Sequence, residues 1–243
     1  MKHLFRFHGR RLAEGSWDLF DDEWHHILKV LRLSVGDRIE IADGEGWVCS
    51  VVLEGLQKSK GDFAVESELF TPKCLPADEL TIGLGVLKPQ GIDEVLPGLV
   101  ELGVHRLILV PFLGMDKSRL GDKLLDRWQR QIVAASKQAK TSWFPELVIA
   151  KSLDEFLVSS RGYASRFLLD PSGEVLPLTR DSAPGPVLSV VGSEGGWSAG
   201  ELAKFSEAGF ERLAIRSNIL RATTAVLATA AIFRQSLSAT DAE

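Results

Sequence analysis

Two stretches late in the chain concentrate residues whose types and spacing suit chemistry on a bound ligand: VVGSEGGWSAGEL at 190–202 and AIRSNILRATTAV at 214–226. In the first, Gly192, Gly195 and Gly196 permit positive φ and let the main chain approach a flat ligand, with Ser193 and Glu194 between them. Ser198 with Glu201 three residues on has capping-box spacing, and Gly209 suits the C′ position of the helix that follows. In the second stretch, Arg216 and Arg221 flank SNIL, and Arg221 stands where the Ala-rich run ATTAVLATAAIF begins. A cation there opposes the helix macrodipole, at a cost of roughly 0.3 kcal/mol or more unless something offsets it. Such an arginine either turns to solvent or to a carboxylate, or is aimed into a ligand crevice. Neither GxxxxGK[ST] nor GxGxxG after the first strand is present, so this is not a phosphate loop.

These loops need strands to carry them. After residue 78 the chain alternates apolar strand candidates (LTIGLGVL, RLILVPF, ELVIA, RFLLD, PVLSVVG, RLAI) with helices predicted over 91–102, 121–140, 152–158, 199–208 and 223–237. Near-continuous apolar strands between helices predict an α/β domain with a parallel sheet covered on both faces. In such a sheet ligands sit outside the carboxyl ends of the strands, where LLDPSG, VVGSEGGWS and AIRSNILRATTA all begin. Pro97-Gly98 should kink or shorten the first helix. The run from Ala225 to Phe233 is apolar on nearly all faces, which predicts burial in a core or a subunit interface.

The first seventy residues read differently. HLFRF and DRIEIAD alternate in period two, GWVCSVVLEGL follows the turn DGEG, and FAVESELF adds another extended stretch. DDEWHHILKVLRL has helical spacing, with acidic residues at its start and Lys29 and Arg32 at its end. This predicts a small β-barrel with one helix over residues 1–72. TPKCLPADE then breaks the pattern, and the α/β domain occupies 78–243.

Composition sets the outer limits. With 45% hydrophobic and 25% charged residues in 243, the chain has the make-up of a globular protein with a sizeable core. No apolar run reaches membrane-span length, MKHLFRFHGRR has no signal-peptide apolar region, and the two cysteines form no metal cluster. The expectation is a cytoplasmic protein without metal or membrane association. A net charge of −5 leaves room for a local phosphate-binding patch.

Four ordered blocks resemble the 16S ribosomal RNA uridine-N3 methyltransferases (RsmE type) of the SPOUT superfamily. They are HHILKVLRLSVGDRIEIADGEG, VELGVHRLILVPF, RWQRQIVAASKQAKTSWFPEL, and VGSEGGWSAGEL through NILRATTAVL. The resemblance implies a PUA-like barrel followed by a SPOUT α/β domain with a trefoil knot, and S-adenosylmethionine as cofactor. It implies cofactor contacts from Leu169, Gly192, Ser193, Glu194, Gly195, Gly196, Ile215, Ser217, Asn218 and Leu220, and a catalytic role for Arg221. It also implies a homodimer acting on 16S rRNA of the small ribosomal subunit. Arg6, Arg10, Arg11, Lys29 and Arg32 of the barrel, with Lys117, Arg119 and Lys140, are the cations expected to face RNA. The chain departs from the family pattern at Thr223, where glutamate is common, at Thr141, where arginine is common, and in PGLVELGV, which lacks the usual lysine. An RNA-binding dimer with lost catalysis, or an enzyme for another RNA position, are the alternative readings. Glu194 is a candidate proton acceptor or a backbone cap.

Overall fold

The computed structural model describes residues 4–74, 78–112, 115, 120–175, 185–215 and 218–238. The chain divides into two compact units: Met1–Lys73 with Val133–Phe144, and Cys74–Ile132 with Pro145–Glu243.

In the first unit, β1 (Arg6–Arg11), β2 (Trp17–Leu19), β3 (Arg38–Ala42), β4 (Trp47–Leu56) and β5 (Gly61–Phe70) form a sheet in the order β2-β1-β3-β4-β5. Only β1 and β3 run parallel. The sheet curls, and the Trp17 indole N–H of β2 donates to Glu68 of β5. Phe7, Trp17, Trp24, Ile27, Ile39, Ile41, Val51 and Leu53 fill its interior. Strand β1 lies later than the alternation in HLFRF predicts. Gly9 allows this, because a Cβ there would stand 2.5 Å from the Asp18 carbonyl oxygen and from Ile41.

The predicted helix over 21–33 begins as α1 (Asp21–His25) and widens into a π turn over His26–Leu31. Arg32, at φ 52°, closes it by donating its N–H to the Ile27 carbonyl. The wider turn keeps Ile27 buried while Leu28, Leu31 and Leu33 pack on the same core.

Residues 133–144, which the pattern assigns to the α/β domain, cluster with the first unit for identifiable reasons. Lys137 pairs with buried Glu23, Gly46 N–H donates to Ser142 O (3.0 Å), Phe144 N–H to Gly44 O (3.0 Å), and the Trp143 indole to Thr71 O (2.9 Å).

The second unit is a six-stranded, wholly parallel sheet in the order β11-β9-β10-β6-β7-β8. Its strands are β6 (Leu80–Gly85), β7 (Arg106–Val110), β8 (Glu146–Ile149), β9 (Ser165–Val175), β10 (Val187–Val191) and β11 (Glu211–Ala214). Every residue of β6 and β10 is buried, as an apolar strand covered on both faces must be. The helices are α2 (Pro89–Glu101), the part of α3 (Asp122–Ala139) before Val133, α4 (Leu153–Ser159), α5 (Ala199–Glu207) and α6 (Ala222–Ser238).

One expectation needs correction. Pro97 does not interrupt α2, which runs unbroken through it. The buried face Ile92, Val95, Leu96, Leu99 and Val100 holds the helix in place, and Gly98 lets Leu227 of α6 close on it. A Cβ at Gly98 would stand 2.8 Å from a Leu227 methyl. The expected burial of α6, in a core or a subunit interface, is met in part within the single chain. Val226, Thr229, Ala230, Phe233 and Leu237 are buried, whereas Thr224, Ala231 and Gln235 are exposed and Leu227, Ala228 and Ile232 half-buried.

Candidate active site

The sheet order fixes where a ligand can enter. From β6 the chain passes through α2 to β7 on one side; from β10 it passes through α5 to β11 on the other. The neighbouring carboxyl ends of β6 and β10 are therefore a topological switch point, where a crevice opens. A cavity of 630 Å³ lies there, within the usual range for small-molecule sites.

Its first wall is the loop after β10. Gly85 at the end of β6 makes room for it, since a Cβ there would stand 2.5 Å from Ser193 N. Gly196, at φ 69°, turns back so that its N–H donates to Ser193 O (2.9 Å). Gly192 and Gly195 do not adopt positive φ; Gly192 is small because Gly196 Cα and the Trp197 ring stand 3.2 and 3.3 Å from where its Cβ would be. A Cβ on Gly195 or Gly196 would meet no protein atom within 4 Å, so backbone lies open to a ligand on that side. The Trp197 indole N–H is buried in this wall without an acceptor. The capping box forms as the spacing predicts, with Ser198 and Glu201 capping each other's backbone at the start of α5, and Gly209 is left-handed at φ 76°. Glu194 accepts the Lys88 N–H (3.1 Å), fastening this loop to the N-cap residue of α2.

The second wall is a bulge in β9. Pairing with β11 jumps from Leu168 opposite Arg212 to Glu174 opposite Leu213, which throws out residues 169–173. Gly173 is required there, because a Cβ would lie 2.7 Å from Leu213 backbone. Asp170 Oδ1 accepts from the Ser172 N–H (2.8 Å), the Ser172 hydroxyl (2.5 Å) and Arg212 Nη2 (3.0 Å). Burial pushes the Asp170 carboxyl up, but these donors outweigh it and leave the group below its ordinary value. Leu169, Asp170 and Pro171 are thereby presented to the cavity.

The third wall comes from residues between β11 and α6: Ile215, Asn218, Ile219 and Leu220 line the cavity, and Ile219 is 94% exposed. Arg221 caps α6 through its carbonyl, which accepts the Ala225 N–H (2.8 Å). The residue lines the cavity, and its side chain makes no ion pair among the described residues. Ser217 and Arg216 lie outside the described residues. The cavity thus brings together Leu169, Gly192, Ser193, Glu194, Gly195, Gly196, Ile215, Asn218, Leu220 and Arg221. Sequence reasoning missed its floor: Lys88, Gln90, Gly91 and Glu94 from the first turns of α2. The signal was available in GLGVLKPQG, a strand with alternating glycines running into a Pro at the helix start. Thr223 also lines the cavity, so that stretch of wall is neutral.

The barrel cations are mostly committed. Arg6, with 8% of its side chain exposed, donates to Glu40 (3.1 Å) and to the carbonyls of Lys140 (2.6 Å) and Thr141 (3.2 Å). Arg10 pairs with Asp18 (2.7 Å), Arg11 pairs with Glu68 (3.2 Å) over the Trp47 ring, and Lys140 pairs with Glu40 (3.3 Å). Lys29 and Arg32 are exposed and make no ion pair among the described residues. Lys117 and Arg119 lie outside them. Buried Cys49 is no nucleophile, since burial pushes its thiol up to about 12. Among the described residues no group of three or more His, Cys, Asp or Glu could hold a metal, and no helix is long and apolar enough to cross a membrane.

Comparison with known proteins agrees with this geometry. A family model described as an RNA methyltransferase domain matches residues 73–234, and one described as an RNA methyltransferase PUA domain matches residues 20–66. The chain is 25% identical to a ribosomal RNA small subunit methyltransferase E from Synechocystis, over 88% of this chain and 71% of that one. It is 26% identical to the protein of that name from Bacillus subtilis, over 87% of each. It is also similar to the crystal structure of a ribosomal RNA small subunit methyltransferase E from Neisseria gonorrhoeae bound to S-adenosyl methionine, with TM-score 0.80 and 26% identity over 96% of this chain and 97% of that chain.

Proposed function

We propose, from the premise that this chain belongs to the RNA methyltransferase family, that it moves a methyl group from S-adenosylmethionine to uridine N3 in the small-subunit ribosomal RNA. One observation carries the reading: a glycine-walled cavity at the β6/β10 switch point whose rim holds an arginine with no carboxylate partner among the described residues. The cavity fits the cofactor. Open backbone at Gly195 and Gly196 supplies donors and clearance. Leu169, Gly192, Ser193, Glu194, Gly195, Gly196, Ile215, Asn218 and Leu220, with Ser217, would hold it. When bound, the cofactor supplies an electrophilic methyl group.

The chain's own residues must do the rest. Uridine N3 carries a proton and is a poor nucleophile, so removing that proton places charge on the flanking carbonyl oxygens. Arg221, permanently charged and forked, stabilises that charge. The base must leave its stack to reach the cavity. RNA is held by exposed cations of the barrel, and the chain acts in the cytoplasm.

A homodimer completes this proposal, because the half-exposed face of α6 carries Ala228, Ala231 and Ile232. Ala228→Glu should yield aggregated or cofactor-free protein by light scattering and calorimetry. A soluble, fully active monomer would count against the dimer. The function itself is tested by calorimetry with S-adenosylmethionine and by mapping methylated positions on ribosomal RNA from a deletion strain before and after treatment with the protein. No cofactor binding, or no restored uridine methylation, removes the assignment.

A further inference from the structure

We propose that Glu94 reads the target base and accepts its N3 proton; this rests on the uridine-N3 reading above. Among the described residues three carboxylates line the cavity: Asp170, Glu194 and Glu94. Asp170 is occupied by Ser172 and Arg212, and one oxygen of Glu194, Oε1, accepts the Lys88 N–H. Glu94 is exposed and accepts no hydrogen bond and no ion pair from any described residue.

Its placement is set by backbone packing. Gly91, Glu94 and Gly98 share one face of α2 at i, i+3 and i+7. Gly91 faces Thr223, whose Cγ2 lies 3.7 Å from where a glycine Cβ would be, and Gly98 faces Leu227. The two glycines bring that face against the first turns of α6, the helix capped by Arg221. A free carboxylate and a free guanidinium therefore line one cavity from adjoining helices.

That pair complements uracil. Its pairing edge presents an N3–H donor between two carbonyl acceptors, so Glu94 accepts from N3 while Arg221 donates to an oxygen. In cytosine N3 is itself an acceptor, and a carboxylate facing it is left with a repelling lone pair. Selection and chemistry use one group. The N3–H bond breaks and its proton passes to the Glu94 carboxylate. The pair left on N3 forms the new N–CH3 bond as the methyl–sulfur bond breaks, and that bond's electrons stay on sulfur as a neutral thioether. Glu94 later returns the proton to water.

The test uses the full-length protein and small-subunit RNA fragments spanning the methylated position, once mapped, with uridine or cytidine there. Equilibrium binding, measured by anisotropy with S-adenosylhomocysteine present, should favour uridine at least tenfold. Glu94→Gln should lose most of that preference, since its amide can donate to cytosine N3. The same variant should lower the single-turnover rate by about 10²-fold or more, with cofactor affinity by calorimetry unchanged. Glu94→Asp should recover part of the rate. A Glu94→Gln protein that keeps either the wild-type rate or the full uridine preference overturns the proposal. Wild-type protein that methylates no position counts against the function itself, whereas an active wild type matched in rate or uridine preference by Glu94→Gln counts against Glu94 alone.

Discussion

In the first unit Arg6, Arg10, Arg11 and Arg38 each end on a carboxylate, whereas in the second unit the cavity rim holds Arg221, Lys88 and Glu94 without ion-pair partners among the described residues. The contrast is one of commitment rather than residue type. Arg6 staples residues 140 and 141 to the barrel, and Arg11, with the Trp17 indole, holds Glu68 below the ordinary carboxylate range. Such charges have spent their interaction energy on the fold. The cavity charges have not, and a ligand that meets them gains the full interaction. Whether a charge is already paired therefore separates structural from functional positions here better than whether it is basic.

The largest expected effect falls on Arg221. Arg221→Ala should lower turnover at saturating cofactor by roughly 10²-fold or more, the size of one oxyanion donor. Cofactor binding should change little, because the glycine loops supply most of that contact. Arg221→Lys should recover only part of the loss, since a point charge does not reproduce the planar fork. Single-turnover methylation of small-subunit particles, with calorimetry alongside, checks this. Unchanged turnover would place Arg221 with the structural arginines, and an equal loss of binding and rate would make it a pocket residue.

Arg6 should do the reverse. Arg6→Ala removes donors to Glu40 and to two backbone carbonyls in a half-buried setting. The expected cost is about 2 kcal/mol, seen as a melting temperature lower by roughly 4–8 °C. The methyl-transfer rate per folded molecule should stay within about twofold. A stable but slow variant would show that Arg6 acts on RNA and break the comparison.

Much of this was legible in the sequence, and the exceptions have physical reasons. Strands and helices of the second unit follow from apolar runs and turn residues, and the Ser198–Glu201 cap from its spacing, because these depend on neighbours in sequence. The uninterrupted helix through Pro97 depends on Leu227, some 130 residues away (Pro97 to Leu227), which no local rule contains. Attachment of residues 133–144 to the barrel rests on pairings such as Lys137 with Glu23 and Gly46 with Ser142, equally remote. In the site, the glycine loops announced themselves, whereas Glu94 looked like any helical surface charge. Only the sheet order, which sets β6 beside β10, shows that α2 starts at the cavity. The same blindness affects the cations: a sequence shows Arg10 and Arg11 but not the Asp18 and Glu68 that engage them.

That last point yields the smallest effect and the cleanest test of the comparison. Counterion release counts only cations that meet phosphate, at roughly 0.7 of a log–log unit per contact for single strands. Lys29 and Arg32 are exposed and unpaired among the described residues, so removing both as alanines should flatten the salt dependence of RNA binding by about 1.4 units. Arg10 and Arg11 reach phosphate only by leaving Asp18 and Glu68, so Arg10→Ala with Arg11→Ala should change the slope by less than about 0.7. Asp18→Asn frees Arg10 and should steepen the slope, which the two alanine pairs cannot do. Filter binding of a small-subunit RNA fragment between about 50 and 200 mM salt resolves these differences. If the Arg10/Arg11 pair flattens the slope as much as the Lys29/Arg32 pair, the intramolecular pairs open on RNA. Pairing in the free protein would then no longer tell a structural cation from a binding one.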